Sequence, residues 1–250
     1  MKSLQLDNKT VLITGANSGI GKAVALLLAK EGANISFIYY KDDGDAEKTK
    51  EEISALGRNV IAFQGDINDL DFCKKCVAET IAEFSVINIL INNAGTQIPA
   101  ENIIDLQEEN IRKTFNSNIV GMILLTKEVF PYLNQGSCII NTTSAVAYIG
   151  HEELLDYSAT KGAIVSFTRS LALQAKSKGI RVNAVAPGPV ATPLTEDTFG
   201  EEEEDETKPP LERNASTEEV AASYLFLATE ASAQITGQVL HPNGGIIVNG

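Results

Sequence analysis

Seven short apolar segments alternate with stretches of helical periodicity along the 250-residue chain. They lie at residues 10–14, 34–39, 59–64, 87–91, 137–141, 181–186 and 238–240. Apolar strands separated by helices are typical of parallel sheets whose two faces are covered by helices. The sequence therefore predicts an α/β fold, a doubly wound parallel sheet of about seven strands joined by right-handed crossovers.

We expect a single domain over residues 1–250, because no repeat or linker divides the chain and 44% hydrophobic residues can fill one large core. No apolar stretch reaches the roughly 20 residues that span a bilayer, and the first residues lack an apolar signal core. A cytoplasmic protein is expected. Twenty basic against thirty-three acidic residues give a net charge of −13, which disfavours nucleic acid and anionic membranes as partners.

The three cysteines, an odd number, give no disulfide framework and suit a reducing compartment. Cys73 and Cys76 have the C-x-x-C spacing of redox and zinc sites. However, the helical period of this segment places both thiols on the buried stripe, and no second Cys/His pair follows at zinc spacing. We therefore expect no metal site, and Cys138 is interpreted as a small core residue.

A glycine-rich turn follows the first predicted strand, in the run Thr14-Gly15-Ala16-Asn17-Ser18-Gly19-Ile20-Gly21. Glycines allow a tight turn and close approach of the backbone to a pyrophosphate, and the N–H groups at a helix start favour anions. The spacing is Gly-x-x-x-Gly-x-Gly, and an ordinary strand-to-helix connection is the alternative. The position in the first strand–helix unit favours phosphate binding.

Tyr157 and Lys161 stand four residues apart, and Tyr157 lies thirteen positions after Ser144, which follows the fifth strand. In a helix such residues share one face, so the ammonium lies near the phenol. A nearby cation favours the phenolate, and we therefore expect the pKa of Tyr157 to be lowered toward the range of a general acid and base. On its own the spacing is equally typical of two surface residues.

Together with three further segments, these residues resemble the short-chain dehydrogenase/reductase family. The segments are Asn92-Asn93-Ala94-Gly95, Asn118-Ile119-Val120-Gly121, and Pro187-Gly188 followed by Thr192. The motifs occur in the family's order, and the resemblance extends from residue 10 to about residue 245. It implies a Rossmann-type fold and an NAD(P)-dependent enzyme that transfers hydride between the nicotinamide and a small carbonyl or alcohol substrate.

The resemblance also implies the catalytic roles. Tyr157 would donate a proton to the carbonyl oxygen during reduction and accept one from the alcohol during oxidation. Ser144 would polarise that oxygen, and Lys161 would bond the nicotinamide ribose while favouring ionisation of Tyr157. Asn118 would hold a water that continues a proton path from Lys161, although its position alone fits a polar helix residue with a local partner equally well.

The cofactor contacts implied by the resemblance come from every motif. They are expected at Gly15, Asn17, Ser18, Gly19, Ile20, Gly21, Tyr39, Tyr40, Lys41, Asp66, Ile67, Asn92, Ala94, Gly95, Tyr157, Lys161, Pro187, Gly188, Val190 and Thr192. An acidic residue about 20 positions after the glycine turn would bond the ribose of NAD, but Tyr39 stands there and Lys41 follows. This favours NADP(H), while Asp42 and the absence of a basic residue at Ser18 keep NAD(H) open.

The motifs do not specify which substrate is bound. The family's lid corresponds to residues 193–216, which include six consecutive acids at 201–206, interpreted as a solvated loop. His151, Glu152 and Leu154 are expected to edge the substrate pocket. A small polyol, sugar or keto compound would fit the breadth of the family.

Two other functions stay open, a 3-oxoacyl-carrier reductase and a non-catalytic dinucleotide-binding regulator. The acidic charge balance disfavours the first, and four catalytic positions in place disfavour the second. An enoyl reductase is disfavoured because its tyrosine and lysine typically stand farther apart than Tyr157 and Lys161. By resemblance we expect a homotetramer, which the apolar tail Ile246-Ile247-Val248 would suit.

Overall fold

The computed structural model describes residues 5–199 and 209–248 and contains a seven-stranded parallel sheet. The strands are β1 Thr10–Thr14, β2 Asn34–Tyr39, β3 Val60–Gln64, β4 Ile89–Asn92, β5 Cys138–Thr142, β6 Arg181–Val185 and β7 Val239–Leu240. Their order across the sheet is β3-β2-β1-β4-β5-β6-β7, and all paired strands run parallel. The predicted doubly wound α/β fold is confirmed.

The helices lie on both faces of the sheet. They are α1 Gly19–Lys30, α2 Asp43–Ala55, α3 Leu70–Phe84, α4 Glu108–Phe115, α5 Gly121–Val129, α6 Val146–Ile149, α7 Leu155–Ala175, α8 Pro193–Phe199 and α9 Thr217–Ala228. A π-helical turn, Asn116–Val120, joins α4 to α5. Ser216 begins α9 with a capping box, in which its side chain accepts from the Glu219 N–H and the Glu219 side chain accepts from the Ser216 N–H.

Two hydrophobic clusters, one on each face, hold the layers together. Val11 and Ile13 of β1 pack with α1, α2 and α9, whereas Leu12 between them packs with α3, α5 and α7. Alternate strand residues point to opposite faces, so a strand buried on both sides has to be apolar throughout. Each fully buried large aliphatic side chain contributes about 1.5–3 kcal/mol relative to an exposed one.

The start of β4 differs from the prediction, which placed it at residue 87. Asn88 donates its main-chain N–H to the Thr10 carbonyl and accepts the Thr10 N–H on its side-chain Oδ1, both at 2.9 Å. The side chain therefore occupies the place of a ladder carbonyl, and the regular β1–β4 pairing begins only at Ile89. The other strands begin and end within one residue of their predicted limits.

Cys73 and Cys76 are fully buried on α3, and Cys138 is buried in β5, as the helical and strand patterns predicted. None of the three forms a disulfide. Burial raises the pKa of the Cys73 thiol to about 11 and that of Cys76 to about 12. Both are therefore protonated near neutral pH, whereas metal binding and disulfide exchange require thiolates.

The sheet topology creates a cleft beyond the carboxyl ends of the strands. Strands β1 to β3 form one half of the sheet and β4 to β7 form the other, so the strand order reverses where β1 and β4 lie side by side. The loops that follow these two strands diverge and leave a crevice. The acidic run 201–206 lies outside the described residues. Among the residues described, no helix is both long and apolar enough to cross a membrane.

Candidate active site

A cleft of about 2160 Å³ extends across the carboxyl ends of β1 to β6. Ordinary small-molecule pockets measure roughly 300–1,000 Å³, so this cleft has room for a large cofactor together with a substrate. The turn after β1 lies on its wall, and Tyr157 and Lys161 lie on it as well.

The glycine turn needs its glycines. Gly15 and Gly19 have φ values of +68° and +52°, which side chains with a Cβ rarely adopt. A Cβ added to Gly21 would lie 1.9 Å from the Gly15 carbonyl oxygen. The helix α1 can therefore begin directly against the turn, with its N-terminus on the cleft.

The N-terminus of α1 fits a phosphate group. Ser18, the N-cap residue, has an extended backbone and makes no side-chain cap hydrogen bond within the described residues. The N–H groups of a first helical turn have no intrahelical acceptor, and their dipoles favour negative charge. The turn and helix start thus match the pyrophosphate of a dinucleotide.

Asn93, which the sequence analysis did not select, holds this turn in place. Its side-chain Nδ2 donates to the carbonyls of Thr14 and Gly15, each at 3.1 Å, and Thr14 Oγ1 accepts the N–H groups of Asn93 and Ala94. The predicted cofactor contact at Asn92 is wrong for its side chain. Asn92 is buried and points away from the cleft, donating to Thr126 Oγ1 and Asn141 Oδ1.

The far end of the cleft is formed by Tyr39, Tyr40 and Lys41 after β2, and by Asp66 and Ile67 after β3. The glycine turn and the β2 loop are joined, since Asn17 Nδ2 donates to the Lys41 carbonyl at 3.0 Å. The Lys41 ammonium lies 5.6 Å from the centre of the Tyr40 ring, and both side chains are exposed. A cation and an aromatic ring therefore stand where the cofactor's adenosine end was expected.

Tyr157 and Lys161 occupy successive turns of α7, as their spacing predicted, with the Lys161 Nζ 5.2 Å from the centre of the Tyr157 ring. Burial raises the pKa of Tyr157 to about 12, and a hydrogen bond with the Ser144 side chain acts in the opposite direction. The expected lowering of this pKa is therefore wrong in the structure as it stands, because desolvation outweighs the favourable interactions.

Lys161 is bound to the end of β5 at two points. Its Nζ donates to the Thr142 carbonyl at 3.0 Å, and its own carbonyl accepts from Thr143 Oγ1 at 2.7 Å. Burial lowers the pKa of Lys161 to about 8. The two threonines immediately before Ser144 were not selected from the sequence, although polar residues at the end of an apolar strand are a recognisable signal.

Asn118 lies in the π-helical turn and is 1% exposed. Its side chain pairs with the main chain of Thr96, donating to the carbonyl at 2.9 Å and accepting the N–H at 2.8 Å. It also donates to Thr160 Oγ1 at 3.0 Å. Asn118 therefore fixes the loop after β4 beside Lys161 and does not itself line the cleft.

The segment after β6 closes the cleft from the remaining side. Pro187, Gly188, Val190 and Thr192 line it, and Val190 forms an isolated bridge to Ala215. Gly188 permits close packing, since a Cβ there would lie 2.7 Å from the Asn243 Cα. The C-terminal loop therefore supports this wall from behind.

The structure brings nearly all predicted site residues to one cleft. Those on its walls are Gly15, Asn17, Ser18, Gly19, Ile20, Gly21, Tyr39, Tyr40, Lys41, Asp66, Ile67, Ala94, Gly95, Ser144, Tyr157, Lys161, Pro187, Gly188, Val190 and Thr192. Such a sheet, with an anion-binding helix start at one end and a tyrosine–lysine pair at the other, defines a dinucleotide-binding oxidoreductase of Rossmann type.

Comparison with known proteins agrees with this class. A family model described as enoyl-(acyl carrier protein) reductase matches residues 15–247. An uncharacterised oxidoreductase of Bacillus subtilis, YhxC, is 47% identical over all of this chain and 88% of its own. The glucose and ribitol dehydrogenase of Daucus carota is 45% identical over 98% of this chain and 87% of its own.

Similarity to a solved structure supports the same class of protein. The short-chain dehydrogenase of Burkholderia cenocepacia in complex with NADP superposes with a TM-score of 0.91 at 29% identity, covering 96% of this chain and 98% of that one. The chain belongs to the short-chain dehydrogenase/reductase family. It is an NAD(P)-dependent oxidoreductase, as the motifs predicted.

Proposed function

We propose that the protein transfers hydride between a nicotinamide cofactor and a small carbonyl or alcohol substrate, with Tyr157 as the general acid and base. The observation that carries this proposal is the joint burial of Tyr157 and Lys161 in the cleft that begins at the α1 N-terminus. A phosphate-binding helix start and a proton donor thus face the same space.

The Tyr157 hydroxyl carries the proton in this proposal. Its raised pKa keeps it protonated near neutral pH, so it can donate to a carbonyl oxygen as negative charge develops there. Ser144 lines the cleft beside Tyr157, where it acts to lower the pKa of the phenol, and its hydroxyl can polarise the same substrate oxygen. A bound nicotinamide would supply the hydride for reduction and accept it for oxidation.

Lys161 places a positive charge beside the phenol. With a pKa near 8 it is mostly ammonium at pH 7, and its charge favours the phenolate left after proton donation. The same ammonium would bond the nicotinamide ribose. Asn118, by fixing the loop that carries Gly95 beside Lys161, would shape the route by which a water-borne proton returns to the site.

NADP(H) is the favoured cofactor, and NAD(H) stays possible. Lys41 can pair with a 2′-phosphate, and Tyr40 beside it provides a surface against which adenine can stack. Asp42 also lines the cleft and opposes this preference. The NADP complex of the Burkholderia cenocepacia relative supports the phosphorylated cofactor.

The substrate class that fits best is a small polyol, sugar or keto compound. His151, Glu152 and Leu154 line the cleft on the Tyr157 side, together with the apolar side chain of Ile149. Mixed polar and apolar walls suit a compact molecule with hydroxyl groups. The 45% identity to a glucose and ribitol dehydrogenase supports the same class.

The first test is fluorescence titration of the purified protein with NADPH and NADH. Ketones, aldehydes, sugars and polyols are then assayed with the tighter cofactor in wild type and Tyr157→Phe. General acid–base catalysis contributes roughly 10²–10⁴-fold, so we expect a loss of that size in the variant with cofactor affinity unchanged.

The other outcomes separate the alternatives. Cofactor binding without turnover of any free or carrier-linked substrate would favour a dinucleotide-binding regulator. Turnover of carrier-linked 3-oxoacyl groups alone would favour the carrier reductase. No binding of either nucleotide would refute the proposal.

Four further expectations complete it. The chain would form a single domain, the described residues 193–199 and 209–216 would belong to its substrate lid, and the protein would be a homotetramer located in the cytoplasm. The remainder of the predicted lid, residues 200–208, lies outside the described residues. Exposed apolar side chains on the helices next to the site, Val120, Ile123 and Leu173, support assembly, as does Ile247 at the C-terminus, which is 84% exposed. Light scattering that returns only monomer would contradict the tetramer.

A further inference from the structure

Tyr224 lies behind the site, and its hydroxyl is bonded to the strand that holds Lys161. The residue is on α9 and is fully buried, and its hydroxyl lies 2.7 Å from Thr142 Oγ1. Thr142 is the last residue of β5, and its carbonyl accepts the hydrogen bond from Lys161 Nζ. One residue thus presents its side chain to α9 and its carbonyl to the lysine.

The end of β5 is bound from both faces of the sheet. Consecutive strand residues point to opposite faces. Thr142 is directed to Tyr224 on α9, and Thr143 to the Lys161 carbonyl on α7. The β5–β6 pairing ends at Thr142, opposite Val185. Just beyond this pair, the Thr143 N–H still donates to the Val185 carbonyl at 2.8 Å, so the side-chain bonds of Thr142 and Thr143 add to a main-chain bond at this point.

The contacts of the Thr142 side chain continue toward the glycine turn. Thr142 Oγ1 lies 2.7 Å from the Tyr224 hydroxyl, and either oxygen can donate in that bond; it also lies 3.5 Å from Asn93 Oδ1, which can only accept. When Tyr224 donates to Thr142, the Thr142 proton is free to point to Asn93. Burial raises the pKa of Tyr224, which keeps its hydroxyl protonated as a donor. Asn93 in turn donates to the Gly15 carbonyl of the glycine turn.

Packing alone does not account for a tyrosine at this position. The ring lies in an apolar cluster with Val24, Leu28 and Val220, where a phenylalanine would fill nearly the same volume. A buried hydroxyl adds a desolvation cost unless it is bonded. The hydroxyl is bonded to a residue that touches the catalytic lysine.

We propose that Tyr224 is a positioning residue for catalysis, whose hydroxyl, acting through Thr142, fixes the carbonyl that holds Lys161 beside Tyr157. The inference rests on the proposed oxidoreductase function, because it concerns the turnover rate of that site. It predicts that removing the hydroxyl lowers kcat in a correctly folded protein.

The test compares Tyr224→Phe, Thr142→Val and the double variant with wild type, in steady-state carbonyl reduction at saturating cofactor. A single buried hydrogen bond corresponds to roughly a three- to tenfold effect, so we expect Tyr224→Phe to lower kcat by that factor. For Tyr224→Phe, KM for the carbonyl substrate should stay within about twofold, because Tyr224 does not line the cleft. The double variant should turn over about as fast as Thr142→Val alone.

Ser36→Ala is the matched control. Ser36 Oγ lies 2.7 Å from Thr80 Oγ1, both residues are fully buried, and Ser36 does not line the cleft. This variant loses a hydroxyl–hydroxyl bond of the same length and should lose thermal stability without losing kcat. If Tyr224→Phe fails to fold, Thr142→Val tests the inference by its own fall in kcat.

Two results would overturn the inference. One is a Tyr224→Phe enzyme with wild-type kcat and a lowered melting temperature, like Ser36→Ala. The other is a double variant whose loss equals the product of the single losses. A wild-type protein without turnover would instead refute the proposed function, so the two failures are distinguishable.

Discussion

Replacing Gly21 with alanine tests whether the glycine turn is a preformed phosphate site. An added Cβ would lie 1.9 Å from the Gly15 carbonyl oxygen, and real Cβ atoms essentially never approach closer than 3.0 Å. The carbonyl therefore has to retreat by about 1.1 Å, and it cannot do so freely because it accepts a hydrogen bond from Asn93 Nδ2. The turn must deform.

The expected magnitudes follow from that deformation. Overpacking of this kind typically costs about 1–3 kcal/mol of stability. Loss of one hydrogen bond to a charged group, worth about 1.5–3 kcal/mol, raises a dissociation constant roughly 10- to 100-fold. We expect Gly21→Ala to lower the melting temperature and to weaken NADPH binding by about that factor in a fluorescence titration.

Gly44→Ala is the control for this experiment. Gly44 lies in the first turn of α2, is exposed, and a Cβ there would have no neighbour within 4 Å. Alanine should leave binding unchanged and stabilise the helix by up to about 1 kcal/mol. A folded Gly21→Ala protein that binds NADPH within about threefold of wild type would refute the reasoning.

Three further predictions concern buried polar groups. Because the pKa of Lys161 is near 8, the rate of carbonyl reduction should fall as pH rises through about 8, and a rate independent of pH across that value would contradict the assignment. Burial raises the pKa of Cys138 from 9.0 to about 11, so the folded state holds this proton more tightly. The contribution of the protonated Cys138 thiol to the free energy of unfolding is therefore complete below about pH 9 and is lost as the pH rises through about 11, by up to about 3 kcal/mol. The free energy of unfolding of Cys138→Ala should depend correspondingly less on pH over this range. Asn118→Ala removes both side-chain hydrogen bonds to the part-buried main chain of Thr96 and should cost about 1–3 kcal/mol in urea denaturation, whereas an unchanged midpoint would show that this loop is held by other contacts.

The fold was predictable because its signal is local. A strand buried on both faces is apolar throughout, as β1 and β4 are, so its position can be read from the residues themselves. The exact start of β4 could not be read in this way. It depends on the Asn88 side chain replacing a ladder acceptor for Thr10, a contact between residues 78 positions apart.

That most candidate site residues lie on one cleft was predictable from the sequence, whereas their electrostatics were less so. The spacing of Tyr157 and Lys161 indicated that a cation lies near the phenol, and the structure places them so. Spacing does not show how deeply both groups are buried. Desolvation depends on everything packed around α7, and it reverses the expected direction of the Tyr157 shift.

The two adjacent asparagines after β4 show a second limit. The motif selected Asn92, but alternation along the strand sends its side chain to the same face as Leu90, toward Thr126 on α5. Asn93 points the opposite way and reaches the glycine turn. The phase of the strand, read from its buried apolar residues, could have distinguished them.

The residues that sequence analysis missed share one physical task. Beyond the last ladder pairs some main-chain bonds between neighbouring segments remain, such as those from Gly15 to Ile38 and from Thr143 to Val185. Thr14 at the end of β1, Asn93 after β4 and Thr142 at the end of β5 add further bonds with their side chains. Thr14 and Asn93 join the loop after β4 to the glycine turn after β1, and Thr142 joins the end of β5 to α9. A threonine or asparagine that ends an apolar strand in such a sheet is therefore a candidate for positioning the site, even where it touches neither cofactor nor substrate.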